Sequence, residues 1–208
     1  MSVSLAKGQK VSLKKLDGGE NLHRLRIGMG WRANENNETL GGFFRSIIGS
    51  GSDSNYDLDS SVFLLKNGRL QREKDIVAYF NLHHNTGAVE HMGDNLVGGT
   101  GKGNDDEQIV INLDKLPSDY DKLIFVANIY QAKSRRQHFG MVRNAFIRLV
   151  NDDTGVELCR YNLTDDYDGK TAMIFGELYR HNGEFKFNPI GEGTNDGSIK
   201  DMARTYEY

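Results

Sequence analysis

A short pattern occurs twice in this chain, and each copy brings company. Val11-Ser12-Leu13-Lys14-Lys15-Leu16 returns as Ile111-Asn112-Leu113-Asp114-Lys115-Leu116, and each is followed by a loop and an apolar run ending in an aromatic residue, Trp31 or Tyr130. Residues 56–63 then line up with 139–146, Tyr79-Phe80-Asn81-Leu82 with Arg160-Tyr161-Asn162-Leu163, and His91-Met92-Gly93-Asp94 with Ile174-Phe175-Gly176-Glu177. Two strands of any β protein resemble each other by chance, but several blocks in one preserved order indicate two similar halves. Each half supplies only half of a core. The expected architecture is therefore one domain over 1–208, a two-sheet β-sandwich with approximate two-fold duplication, and an insertion around 33–55 in the first half.

The surrounding sequence agrees with an all-β fold. Windows at 10–16, 22–31, 61–65, 75–81, 108–113, 122–130, 145–150, 156–162, 172–180 and 184–188 alternate or run apolar in the manner of short strands. Turn signals separate them: Lys66-Asn67-Gly68, the segment 152–155, and the Asn182-Gly183 pair. With 24 Gly, 2 Pro, 9 Tyr and 10 Phe, the composition favours aromatic-bearing strands over long helices. One short C-terminal helix is expected over 198–206, with Ser198 as its cap and Asp201 in its first turn.

Charge and cysteine usage limit the function classes. Lys and Arg total 26 against 29 Asp and Glu, a net charge of −3, so no bulk attraction to nucleic acid is expected. No apolar run is long enough for a membrane span, and the opening ten residues do not read as a secretory signal. Cys159 is the single cysteine and has no disulfide partner within the chain, consistent with a reducing, cytoplasmic compartment. It also cannot form the vicinal dithiol expected for reductive handling of an oxyanion.

Where the halves differ, a site is expected. The first half carries Asp57 and Asp59, and the second carries Gly140 and Val142 in their place. Two carboxylates two residues apart on a strand share a face. If Phe63 points inward with the same parity, they are driven towards the core, where they need a bulge or a cation. After Gly93 the first half also opens a glycine-rich loop, 94–107, with Asp94 and Asn95 at its start and Asp105, Asp106 and Glu107 at its end. Hard divalent cations, calcium above all, take six to eight such oxygen ligands. A solvated acidic loop is the plain alternative.

Three other motifs fail on mechanism. A P-loop needs Gly at Leu96 and Ser or Thr at Gly103, followed by a helix, whereas an apolar strand begins at Gln108. Neither Asp57 nor Asp94 opens the twelve-residue pattern of a helical calcium hand. His83, His84 and His91 lack a convincing zinc partner and read as loop residues. Lys133, Arg135, Arg136 and Arg143 form a basic stretch that reads as a solvated loop or helical turn and, secondarily, as a contact for an acidic partner.

The chain also resembles the TerD family of tellurium-resistance and general stress proteins. The resemblance is carried by 3–8, 25–31, Tyr56-Asp57-Leu58-Asp59 through Leu65, Gly93-Asp94-Asn95, Asp105-Asp106-Glu107-Gln108-Ile109, 144–148 and 175–180. It implies a bacterial or phage cytoplasmic β-sandwich without catalytic activity. It also implies one or two bound Ca2+ ions and partners among proteins of the resistance and stress system, including membrane-associated ones. Carried over by motif, the implied ligands are Asp57, Asp59, Asp94, Asn95, Asp105, Asp106 and Glu107. Two features depart from the family pattern. Residues 98–102 supply no carboxylate and Lys102 adds a positive charge, and the insertion brings Phe43, Phe44, Ile47 and Ile48 at 40–55, expected to cover the sandwich or to face a partner. The competing functional classes are a metal-dependent hydrolase on the same carboxylates and a metal-free adaptor using Phe43, Phe44, Arg135 and Arg136.

Overall fold

The computed structural model describes residues 2–19, 22–33, 56–93 and 105–207. Among these, twelve strands form two six-stranded sheets. The first sheet holds, in spatial order, β1 (Val3–Leu5), β10 (Glu157–Asn162), β9 (Val142–Asn151), β3 (Arg24–Ala33), β7 (Glu107–Asn112) and β6 (Val89–His91). The second holds β2 (Val11–Ser12), β12 (Glu184–Thr194), β11 (Ala172–His181), β8 (Lys122–Ile129), β4 (Leu58–Leu65) and β5 (Ile76–Val77). Three short α-helices, α1 (Leu13–Leu16), α2 (Ala132–Arg135) and α3 (Ile199–Arg204), and two single 3-10 turns at Glu73–Asp75 and Phe139–Met141 complete the described elements.

The two halves are interleaved. The triplet β10-β9-β3 of the first sheet becomes β5-β4-β8 of the second when the halves are exchanged. First-half β3 pairs with second-half β9, and first-half β4 with second-half β8. The correspondence stops at the next place, where β3 is flanked by β7 but β8 by β11. Each sheet thus contains strands of both halves.

Alternation places the core. Leu25, Ile27, Met29 and Trp31 of β3 point between the sheets and meet Leu58, Val62 and Leu64 of β4 and Leu123, Phe125, Ala127 and Ile129 of β8. The other face of the second sheet is covered as well. Phe63, Leu65, Ile124 and Val126 pack under Ile199, Met202 and Ala203 of α3, and Tyr206 sets its ring edge-on to Phe63 at 5.8 Å. With both faces covered, β4 is buried at all eight positions.

Turn chemistry follows the residues. Asn182 and Gly183 take φ of 51° and 77°, the left-handed pair that a two-residue hairpin requires between β11 and β12. Ser198 accepts a hydrogen bond from the Asp201 amide and caps α3 as expected. Two strand windows need correction. The 10–16 window is strand only at Val11–Ser12, because the Ser12 hydroxyl accepts from the Lys15 amide and starts α1, burying Leu13. Its sister at 111–116 likewise ends a strand and turns. The 75–81 window shrinks to β5, since Ala78 and Asn81 bond each other in a tight turn. β1 and β6, three residues each, were too short to show periodicity.

Candidate metal centre

Glu107 opens β7 and lies on the same side as Ile109 and Ile111, between the sheets. Its Oε2 accepts the Ser60 amide of β4 at 2.8 Å. This bond crosses from one sheet to the other. His91 of β6 faces the same space: its Nε2 shares a 3.0 Å hydrogen bond with the Ser60 hydroxyl and lies 3.5 Å from Glu107 Oε2. Glu107 Oε1 is buried without a hydrogen-bond partner.

Asp57 sits where the chain enters β4, its carbonyl accepting the Tyr130 amide at 2.8 Å. Its Oδ1 is also buried without a hydrogen-bond partner, while Oδ2 lies 3.8 Å from Arg135 of α2. Burial pushes the Asp57 carboxyl above its ordinary pKa; Arg135 opposes this, and the Glu107 charge adds to it. The half-buried Asp57 and the buried Glu107 therefore repel each other, each with a buried oxygen lacking a donor.

The remaining acidic residues divide by location. Asp59 shares the parity of Phe63, so it points to the α3-covered side of the second sheet and is 6 % exposed. It pairs across with Asn128, whose Oδ1 is a third buried oxygen without a hydrogen-bond partner. Asp106 is buried and accepts the Trp31 amide at 2.8 Å, while its own amide donates to Met29. Asp105 lies over Gly28, its carboxylate fully covered, where Arg148 grips it through two bonds of 2.6 and 3.0 Å and Gln108 donates a third at 2.9 Å. Asp105 is thus an anchor for the end of the loop. Asp94, Asn95, Phe43 and Phe44 lie outside the described residues.

Several participants escaped the sequence reading. His84 and His91, read there as loop residues, are both 2 % exposed. Ser60, His91 and Asn128 belong to no motif; parity relative to Ile109 is the signal that could have placed His91 between the sheets. The basic stretch forms a helical turn, with Arg135 turned onto Asp57 and Arg136 exposed. Among the described residues no group of three or more Asp, Glu, His or Cys side chains is placed to hold a metal ion. The unsatisfied atoms at Asp57, Glu107 and Asn128 are carboxylate and amide oxygens; the His91 imidazole beside Glu107 is occupied by the Ser60 hydroxyl, and Cys159 is buried elsewhere in β10. Such oxygens are the donor set of a hard cation.

Comparison with known proteins gives a consistent picture. A family model described as the TerD domain matches residues 1–206. The stress response protein SCP2 of Bacillus subtilis (strain 168) is 45 % identical over 206 residues, covering 99 % of this chain and all of that protein. The tellurium resistance protein TerD of Serratia marcescens is 47 % identical over 199 residues, covering 95 % of this chain and 93 % of its own. The crystal structure of a homologue of telluride resistance protein (TerD) from Streptomyces coelicolor A3(2) superposes with a TM-score of 0.58 at 18 % identity, covering 86 % of this chain and 95 % of that one. This last likeness concerns the fold alone.

Proposed function

The chain belongs to the TerD family of tellurium-resistance and stress-response proteins, and from that premise we propose that it is a non-enzymatic calcium-binding module whose ion clamps the 94–107 loop against the sandwich. The observation that carries the reading is the pair of buried oxygens, Asp57 Oδ1 and Glu107 Oε1, on like-charged groups and without hydrogen-bond donors. A buried carboxylate oxygen without a donor is costly unless the group takes up a proton or a cation neutralises it, and a cation shared by both groups relieves the pair at once. Arg135, at 3.8 Å from the other Asp57 oxygen, is a long and partial answer.

When bound, calcium supplies charge neutralisation and multiple oxygen coordination, not acid or base chemistry. Asp57 and Glu107 would hold it, joined by loop oxygens such as those of Asp94 and Asn95, with Asp59 and Asn128 as donors of any second ion. Ser60 fixes the Glu107 carboxylate by donating its amide, Arg148 fixes the far end of the loop through Asp105, and Trp31 fixes Asp106. The clamped loop then forms the surface offered to protein partners of the resistance and stress system, in the cytoplasm and beside the membrane.

A thermal melt in chelator and in excess calcium tests this. An ion that binds only the folded chain adds about 2.7 kcal/mol at a hundredfold excess over Kd, a rise of roughly 5–10 °C for a chain of this size. Combined Asp57→Ala and Asp59→Ala substitution removes most of that rise. Equal midpoints with and without calcium in the parent protein contradict the reading, as does phosphoester or glycoside turnover that vanishes with Asp94→Ala.

A further inference from the structure

On the outer face of the second sheet, at the edge formed by β2, lies a cleft of about 600 Å³ unconnected with the acidic residues described above. Its floor is a row across three strands. Ser12 of β2 stands opposite Lys186 of β12, and Lys186 opposite Tyr179 of β11, while the next pair along is Glu184 and His181. Inward neighbours Phe187 and Leu178 belong to the core, so this row faces out. Lys10 and Lys15 close the cleft from the β2–α1 side.

The local charge is opposite to that of the chain. Three lysines, Lys10, Lys15 and Lys186, surround a single carboxylate, Glu184, among the described lining residues, against a net charge of −3 overall. Glu184 is already engaged: it accepts the Ser12 hydroxyl at 2.6 Å, and Lys186 lies 3.7 Å away. Among the described residues no carboxylate lies within ion-pair distance of Lys10 or Lys15. By contrast Lys122, next in the row, is bound to Glu177 at 2.7 Å. Unpaired ammonium groups around a concavity raise the local concentration of anions, and lysine binds phosphate as a mobile point charge. Tyr179, edge-on to His181 with ring centroids 6.5 Å apart, supplies an aromatic wall and a phenol donor.

We propose that this cleft binds a phosphorylated small molecule, its phosphate held by Lys10, Lys15 and Lys186 and its body resting against Tyr179. A phosphate monoester carries about −1.5 to −2 at neutral pH, matching the excess of positive charge among these residues. The size of the cleft falls within the ~300–1,000 Å³ of small-molecule sites, and its concave form suits a soluble ligand better than a flat lipid surface.

The test uses the full chain in chelator, so it is independent of calcium. Inorganic pyrophosphate is titrated at low salt and followed by amide NMR shifts, with equimolar sulfate as a general-anion control and phosphatidylserine vesicles as a separate arm. The proposal expects saturable pyrophosphate shifts centred on Val11, Lys186 and His181, tighter than those of sulfate. Triple substitution of Lys10, Lys15 and Lys186 by Gln weakens binding at least roughly tenfold without moving the melting midpoint, whereas Lys133→Gln with Arg136→Gln leaves it unchanged. The proposal is overturned by shifts that do not saturate, by equal sulfate affinity, by an unaffected triple variant, or by binding to vesicles alone.

Discussion

Glu107 divides its two oxygens between fold and site. One accepts the Ser60 amide across the sandwich, and the other is buried without a donor. Glu107→Gln keeps an acceptor for Ser60 but removes the charge that Asp57 feels. In chelator the variant should melt no lower than the parent, yet its calcium affinity should fall by at least roughly tenfold, about 1.4 kcal/mol; calorimetry paired with a melt checks both. Cys159 illustrates a group that chemistry cannot reach: burial pushes its thiol pKa up to about 12. Ellman's reagent should not label it until denaturant unfolds the chain. His84, fully buried, has its imidazolium pKa held below 6.5 by burial, with Asp75 pulling the other way. Below that value the unfolded chain takes up the proton more readily than the folded one, so stability falls as pH drops through about 6.5 towards the folded value. In His84→Gln the loss of melting temperature between neutral and mildly acidic buffer should be smaller.

At the level of elements, the bulge-free strand β7 holds one end of the loop and Gly28 makes room for the anchor. A Cβ at Gly28 would occupy the space of the Asp105 carboxylate. Gly28→Ala should therefore break the Asp105–Arg148 grip and cost roughly 1–3 kcal/mol, read as a lowered denaturation midpoint. This anchor was not visible in the sequence, because Asp105 and Arg148 are 43 residues apart and only the strand register joins them. The longer strands were legible for another reason: β8 reads as an unbroken apolar run, Leu123 to Ile129 interrupted only by Asn128, and β11 is bounded by the Asn182-Gly183 turn. Asp57 and Asp59 could be picked out because the sister half lacks them, but their surroundings could not. Asp59 shares the parity of Phe63, yet Phe63 faces the layer under α3 and not the space between the sheets. Only the assembled sandwich distinguishes those two interiors.

For the whole molecule, the interleaving of halves matters most. Because β3 relies on β9 and β8 on β4, neither half can complete a sheet alone. Denaturant unfolding should give coincident transitions by far-ultraviolet circular dichroism and by the fluorescence of Trp31, the sole tryptophan. Trp31 is well placed as a reporter, since its amide binds Asp106 and its indole donates to the Tyr56 carbonyl at 3.2 Å. The repeat revealed this arrangement in outline, as an ordered set of matching blocks. The exchange of strands between sheets depends on pairing, which no pattern of residues along one strand records. The packing of one sheet on the other brings Asp57, at the entry to β4, within electrostatic reach of Glu107 at the start of β7. The central claim is that a hard dication joins these two groups, and isothermal titration of chelator-stripped protein with calcium tests it most directly. The account predicts saturable binding of one or two ions per chain, selective over magnesium and abolished by Asp57→Asn with Glu107→Gln; no saturable heat, or heat undiminished in that variant, would contradict it.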